Sequence, residues 1–157
     1  MTLAHLSIDA RDPEHVADIL ARIMGGAALP FPPCPGAFIV FDATDDGTAI
    51  EIYPLGMQVQ RGPDQIAFVQ GPDTDTAVAT HVCLTSALSE PQLLDIGTQT
   101  GWTARTCNRG PFECVEIWLE NRVLIEVLDP DMTADYRENM SAAKWRAMFG
   151  IPSADEA

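Results

Sequence analysis

Thr48-Ala49-Ile50-Glu51-Ile52-Tyr53-Pro54 is an apolar strand with a carboxylate at its centre and a proline at its end, and Val123-Leu124-Ile125-Glu126-Val127-Leu128-Asp129-Pro130 writes the same pattern again. The two-residue period of a strand puts Ala49, Glu51 and Tyr53 on one face and Ile50 and Ile52 on the other. Leu124, Glu126 and Leu128 stand likewise opposite Ile125 and Val127. Working upstream, the echo persists. His5 precedes a helix-stopping Gly25 by 20 residues and His81 precedes Gly101 by 20, while His5 to Glu51 is 46 residues and His81 to Glu126 is 45. An internal duplication is the economical explanation.

Each half has the same grammar. Leu3 to Asp9 alternates as a strand. Asp12-Pro13 then caps and opens a helix carrying Val16, Ile19, Leu20 and Ile23 at the spacing of one buried stripe. Ala37 to Ala43 and Thr48 to Tyr53 read as strands joined at the turn Asp45-Asp46-Gly47, and the proline-rich segment 30–36 reads as an irregular or edge stretch. In the second half, Ala79 to Thr85 reads as a strand containing His81, and Ser89 caps a helix with Leu93, Leu94 and Ile96. Trp102 to Cys107, Phe112 to Leu119 and Val123 to Leu128 are strands, with turns at 108–111 and 120–122. The fold class is therefore α+β, two βαβββ modules at about 1–55 and 79–131. A connector occupies about 56–78, and a helical tail about 132–157 carries Ser141 as the cap of a helix over 142–149. Trp145, Met148 and Phe149 in that tail are read as packing residues, against the rest of the chain or a second subunit.

Composition sets the outer bounds. A chain of 157 residues with 46% apolar and 20% charged residues buries one ordinary core. No run approaches the ~20 apolar residues of a bilayer crossing, and Met1 to Asp9 lacks the basic segment and apolar run of an export signal, so a soluble, cytoplasmic protein with no membrane partner is expected. Nine basic against 23 acidic residues give a net charge of −14, which repels nucleic-acid backbones and anionic surfaces. Cys34, Cys83, Cys107 and Cys114 have no C-x-x-C spacing; they are expected to be reduced, with Cys107 and Cys114 able to face each other across a hairpin.

A glutamate flanked by this much hydrophobic sequence is costly unless it is paired, hydrogen-bonded or bound to a cation. A lone strand histidine or glutamate is usually a hydrogen-bonded or solvent-facing residue. Two of each, at matching places of a repeat, instead point to one shared divalent ion. Imidazole nitrogen with carboxylate oxygen suits nickel, zinc, cobalt, iron or manganese, and four protein ligands leave an octahedral ion open to water or substrate.

The two strand-helix-three-strand halves, with His5, Glu51, His81 and Glu126 in register, resemble the vicinal oxygen chelate superfamily of glyoxalases, extradiol dioxygenases, and bleomycin and fosfomycin resistance proteins. The resemblance covers about residues 3–131. It implies curled mixed sheets forming a half-barrel with an open metal cavity. His5, Glu51, His81 and Glu126 would be the metal ligands, and the order His, Glu, His, Glu looks most like glyoxalase I. Glu126, with Glu51 as its counterpart, would then be the catalytic base that moves a proton between adjacent carbons of a chelated substrate through an enediolate. Three local departures accompany the resemblance: Ile19-Leu20-Ala21 in place of a Phe-Tyr pair, Glu120-Asn121-Arg122 in place of Asp-Pro-Asp-Gly, and Asp9 where glyoxalases tend to have an arginine.

The same alternation nominates Ser7, Tyr53 and Cys83 as substrate contacts beside the ligands. Arg105 is the nominated anion contact, with Arg109 and Arg122 as further cations at strand ends and turns, where arginine is more often merely solvated. The expected function is a metal-dependent lyase or isomerase of glyoxalase type acting on a small molecule as a homodimer. The alternatives are an extradiol-type dioxygenase and a non-catalytic small-molecule-binding or resistance protein of the same fold.

Overall fold

The computed structural model describes residues 4–44, 46–73, 76 and 78–152. Leu3 and Asp45, which figure in the expected first strand and hairpin turn, lie outside these. The described chain forms ten strands and four helices: β1 (His5–Ala10), α1 (Pro13–Met24), β2 (Ala27–Pro30), β3 (Phe38–Phe41), β4 (Ala49–Pro54), β5 (Met57–Arg61), β6 (Ile66–Gln70), β7 (Val82–Thr85), α2 (Glu90–Thr100), β8 (Ala104–Asn108), β9 (Glu113–Leu119), β10 (Val123–Leu128), α3 (Pro130–Asn139) and α4 (Ala142–Phe149). They gather into two compact units, one of residues up to 81 with the hairpin tip 118–124, the other of 82–117 with 125 onward.

The duplication is visible in the topology. One four-stranded sheet has the order β1-β4-β3-β2 and the other β7-β10-β9-β8, each with a parallel pair formed by its first and last strands. The register repeats as well: Ser7 faces Glu51 across β1 and β4, and Cys83 faces Glu126 across β7 and β10. These are open mixed sheets, as expected for the α+β class.

Both module helices begin and end as their sequences dictate. The Asp12 carboxylate accepts from the His15 amide and Pro13 occupies the first turn, whereas Ser89 forms a capping box with Gln92. Gly25 and Gly101 close the two helices at φ 68° and 73°, the left-handed conformation that glycine adopts without steric cost. Val16, Ile19, Leu20 and Ile23 of α1 are buried, as are Leu93 and Ile96 of α2. Each removes apolar area from water worth roughly 1.5–3 kcal/mol per side chain. His15 stays exposed, in keeping with its place off that stripe.

Three parts of the chain differ from the sequence reading. Residues 57–70, expected as connector, form the antiparallel hairpin β5–β6. β7 begins at Val82, which leaves His81 one residue outside the strand that was expected to carry it. Asp129-Pro130 does more than end β10: the Asp129 carboxylate accepts from the Met132 amide and opens α3, the same Asp-Pro device that starts α1. α4 falls where Ser141 places it, but none of its residues is buried, and Trp145, Met148 and Phe149 are left 44%, 49% and 58% exposed.

Candidate functional site

In the first unit β4 is the central strand, flanked by β1 and β3, and this puts Glu51 between two neighbours instead of on an edge. Ser7 Oγ donates to Glu51 Oε2 at 2.9 Å, and the Tyr53 hydroxyl donates to the same oxygen. Among the described residues Oε1 of Glu51 accepts no hydrogen bond. Tyr53 is buried at 5% exposure, with its ring 5.3 Å from Phe68 and 6.1 Å from Phe31, so the hydroxyl is aimed by aromatic packing. Burial, and then the hydrogen bond to Glu51, push the phenol up to about 12, which keeps it a proton donor near neutrality. His5 is exposed at the start of β1. His81 is exposed too, with Nδ1 3.4 Å from the Ala79 carbonyl oxygen. A cleft of about 110 Å³ lined by Ser7, Ile8, Asp9, Val78, Thr80 and Val123 opens beside this group. A wider groove of about 910 Å³ offers Arg11, Gln70 and Asp73 but no imidazole.

The second unit holds its glutamate differently. Glu126 is buried, and its Oε1 receives Arg109 Nε at 2.8 Å and a terminal guanidinium nitrogen at 2.7 Å. That same terminal nitrogen lies 2.5 Å from Oε1 of Glu116, whose Oε2 accepts from Arg105 Nε at 2.7 Å. The Glu116 and Glu126 side chains are only 4% and 10% exposed, while Arg109 is 33% and Arg105 61% exposed. The hydrogen bonds to Glu116 and then Glu126 raise the Arg109 guanidinium still further above its ordinary value. Local turn chemistry makes this possible: Asn108 Oδ1 accepts from the Gly110 amide and Arg109 N–H donates to the Phe112 carbonyl, turning Arg109 back over the strands. Exposed Cys83 faces Glu126 in register, and the protein around it, then the Glu126 charge, push its thiol up to about 11. Cys107 and Cys114 do face each other across β8 and β9 as free thiols.

These arginines are thus engaged in ion pairs, where strand-end arginines are usually merely solvated. Arg109 and Arg105 neutralise buried carboxylates, and Arg122 is itself buried with a terminal nitrogen 2.6 Å from Asp9 Oδ1. Asp9 also accepts from the Gly56 amide at 3.1 Å, so the residue that stands where an arginine was anticipated is a structural anchor. The two-residue period puts Glu116 on one face of its strand with Cys114 and Trp118 and leaves the facing open. Its signal was there, an acid at the centre of the apolar run Cys114 to Leu119, but period-two reasoning could not say which face of that strand turns inward.

No family model and no curated protein matches the chain. Solved structures do. A Mn(II) complex of the fosfomycin resistance protein FosX from Listeria monocytogenes superposes at TM-score 0.52 with 13% identity, covering 80% of this chain and 90% of that one. FosX from Mesorhizobium loti gives 0.51 at 11% identity, over 85% and 95%. Oxidase ChaP-H1 gives 0.51 at 16%, over 82% and 95%. The chain therefore has the vicinal oxygen chelate fold. Among the described residues no helix is long and apolar enough to cross a membrane.

Ser7, Glu51 and Tyr53 form one hydrogen-bonded group, and Glu126 belongs to another with Arg109, Glu116 and Arg105. Among the described residues no three His, Cys, Asp or Glu side chains converge as a ligand cluster. Chemically, His5 and a Glu51 carrying only neutral hydroxyl donors suit a divalent ion. Glu126 suits one only if the guanidinium on its Oε1 moves away, because two cations cannot share one carboxylate oxygen without repulsion.

Proposed function

We propose that the chain is a metal-dependent enzyme of glyoxalase type, a lyase or isomerase that moves a proton between adjacent carbons of a small substrate carrying vicinal oxygens. The observation that carries this reading is Glu51. It is a half-buried carboxylate with one oxygen fixed by Ser7 and Tyr53 and the other left open, the arrangement of a positioned general base. His5, Glu51, His81 and Glu126 are the proposed ligands of a divalent ion, which when bound would polarise the substrate oxygens and make the neighbouring C–H more acidic. Glu51 Oε1 takes the proton and returns it at the adjacent carbon. Ser7 Oγ and the Tyr53 hydroxyl hold the carboxylate's rotamer while this happens, and Arg105, the most exposed cation of its network, meets an anionic group of the substrate. Cys83 lines the equivalent place in the second module.

A homodimer is part of the proposal, because the exposed Trp145, Met148 and Phe149 of α4 form an apolar face that the described chain does not cover. Light scattering that gives a monomer mass at micromolar concentration removes that part. For the activity, nickel, zinc, cobalt or manganese is added with a methylglyoxal–thiol adduct, and thioester formation is followed. Turnover that disappears in Glu51→Gln is the expected result; absence of turnover with every metal and thiol overturns the reading.

A further inference from the structure

We propose that Cys107 and Cys114 are an oxidisable dithiol: Cys107 meets a small hydroperoxide, and Cys114 then closes a disulfide between β8 and β9. This site stands apart from the metal-dependent reading and involves none of its proposed ligands. The two cysteines are register partners on antiparallel strands. Their side chains therefore leave the same face of the sheet, with Cα atoms about 4.5–5.5 Å apart on either kind of rung. A disulfide needs about 4.4–6.8 Å. Within the second unit the remaining thiol is not so placed: β10 runs between β7 and β9, which sets Cys83 two strand spacings, roughly 9–10 Å, from Cys114. The pair is also unequal. Cys107 is partly exposed and open to a small reagent from solvent, whereas Cys114 is fully buried. A partly exposed sulfur beside a cation, with a second thiol next to it, is the arrangement of an oxidation-sensitive cysteine. The cation is Arg105, two residues away on the same strand, whose guanidinium is raised above its ordinary value first by Glu116 and then by Cys107. In the first step the Cys107 sulfur attacks the outer oxygen of the hydroperoxide. The O–O bond breaks, an S–O bond forms, and the leaving alkoxide takes the thiol proton and departs as an alcohol. In the second step the Cys114 sulfur attacks the Cys107 sulfur; the S–S bond forms, the S–O bond breaks, and the departing hydroxide takes the Cys114 proton as water. The two thiols are oxidised and the hydroperoxide is reduced. The new bond ties together the two ends of the 108–111 turn, which carries Arg109.

The test treats the reduced full chain with hydrogen peroxide, counts thiols in denaturant, and maps the product by mass spectrometry after trypsin. Cleavage after Arg105, Arg109 and Arg122 puts the two sulfurs on separate peptides, 106–109 and 110–122. The expected result is a cross-link between those peptides, with the loss of Cys107 and Cys114 from the four thiols and their recovery in dithiothreitol. This measurement needs no variant to fold. Cys114→Ala should leave Cys107 as a sulfenic acid that dimedone traps, and in Cys107→Ala the buried Cys114 should be lost at least about tenfold more slowly than in the unsubstituted protein. Exposed Cys83 is the internal reference for the reagent. If Cys83 is oxidised while Cys107 and Cys114 remain reduced, the proposal is wrong. A cross-link through Cys83, or a disulfide between two chains seen as a doubled mass on a non-reducing gel, also overturns it.

Discussion

The two modules share strand order, glycine C-caps and register, yet they treat the glutamate of their last strand in opposite ways. In the first, Glu51 is held by neutral hydroxyls, with no cationic partner among the described residues; in the second, Glu126 is buried and paired with Arg109. The backbone repeat fixed where each carboxylate sits. What its charge can do was then decided by a few side chains: Ser7 of β1 and Tyr53 of β4 itself for Glu51, and Arg109 of the 108–111 turn for Glu126. A guanidinium supplies a counter-charge and occupies the carboxylate oxygen it pairs with, whereas hydroxyl donors orient the group and leave one oxygen available.

That contrast can be broken most directly at the glutamates. Glu51→Gln should lower turnover by about 10²–10⁴-fold, the usual contribution of a positioned base, while leaving the circular dichroism spectrum and melting temperature nearly unchanged. Equal losses in Glu51→Gln and Glu126→Gln would mean that the two modules are functionally equivalent after all. Next in size is the stability of the second module. Arg109→Met strands the buried Glu126 carboxylate and leaves Glu116 with Arg105 alone, and should cost about 3 kcal/mol. Thermal denaturation would register this as a fall of roughly 6–12 °C for a chain of this length. A fall no larger than that of Arg105→Met, whose side chain is mostly exposed, would show that the network is a surface feature.

A smaller effect is expected at Tyr53. Tyr53→Phe keeps the ring packing on Phe31 and Phe68 but removes a hydrogen bond to a charged group, worth about 1.5–3 kcal/mol. Turnover should fall more than stability, because the freed carboxylate loses its rotamer. If only the melting temperature moves, the hydroxyl serves packing alone.

The pH dependence of stability carries a definite sign. The thiols of Cys83 and Cys114 are raised from 9.0 to about 11 and about 12, and the Tyr53 phenol from 10.0 to about 12. In each case the folded state holds the proton more tightly than the unfolded chain does. Their contribution is therefore complete below about pH 9 and is lost as pH rises towards 11 and 12. Urea midpoints that stay level up to pH 9 and then decline are the expected record; a rise above pH 9 would contradict the raised thiols and phenol. The smallest effect is at Cys83. Part of its shift comes from the Glu126 charge, so Glu126→Gln should speed alkylation of this thiol a few-fold at pH 8. An unchanged rate would leave burial as the whole cause.

Much of the first module was legible because its signals are local. Asp12-Pro13 and Gly25 bound α1, and an apolar run broken by a single acid located β4 and its counterpart β10. The Asp-Pro signal at 129–130 was equally plain chemically, but the end of a strand masked the start of α3. The hairpin at 57–70 was missed for a different reason: Met57-Gln58-Val59-Gln60 does alternate, but the run is short and lies among the turn signals Gly62-Pro63 and Gly71-Pro72, and only pairing between strands makes it a sheet. His81 looked like a strand residue because its neighbours do, yet parallel pairing with β10 extends only from Val82.

Sequence by itself determined the duplicated α+β plan, the helix boundaries and the presence of two costly glutamates at equivalent strand centres, since these follow from periodicity, capping chemistry and spacing along the chain. Only the tertiary structure decided the partners of those glutamates. Ser7 lies 44 residues from Glu51 and Arg109 lies 17 from Glu126. Neither contact is encoded in any local pattern. Each exists because sheet pairing and a turn carry a particular side chain to a particular oxygen, and with that partner comes the charge that separates an open carboxylate from a paired one.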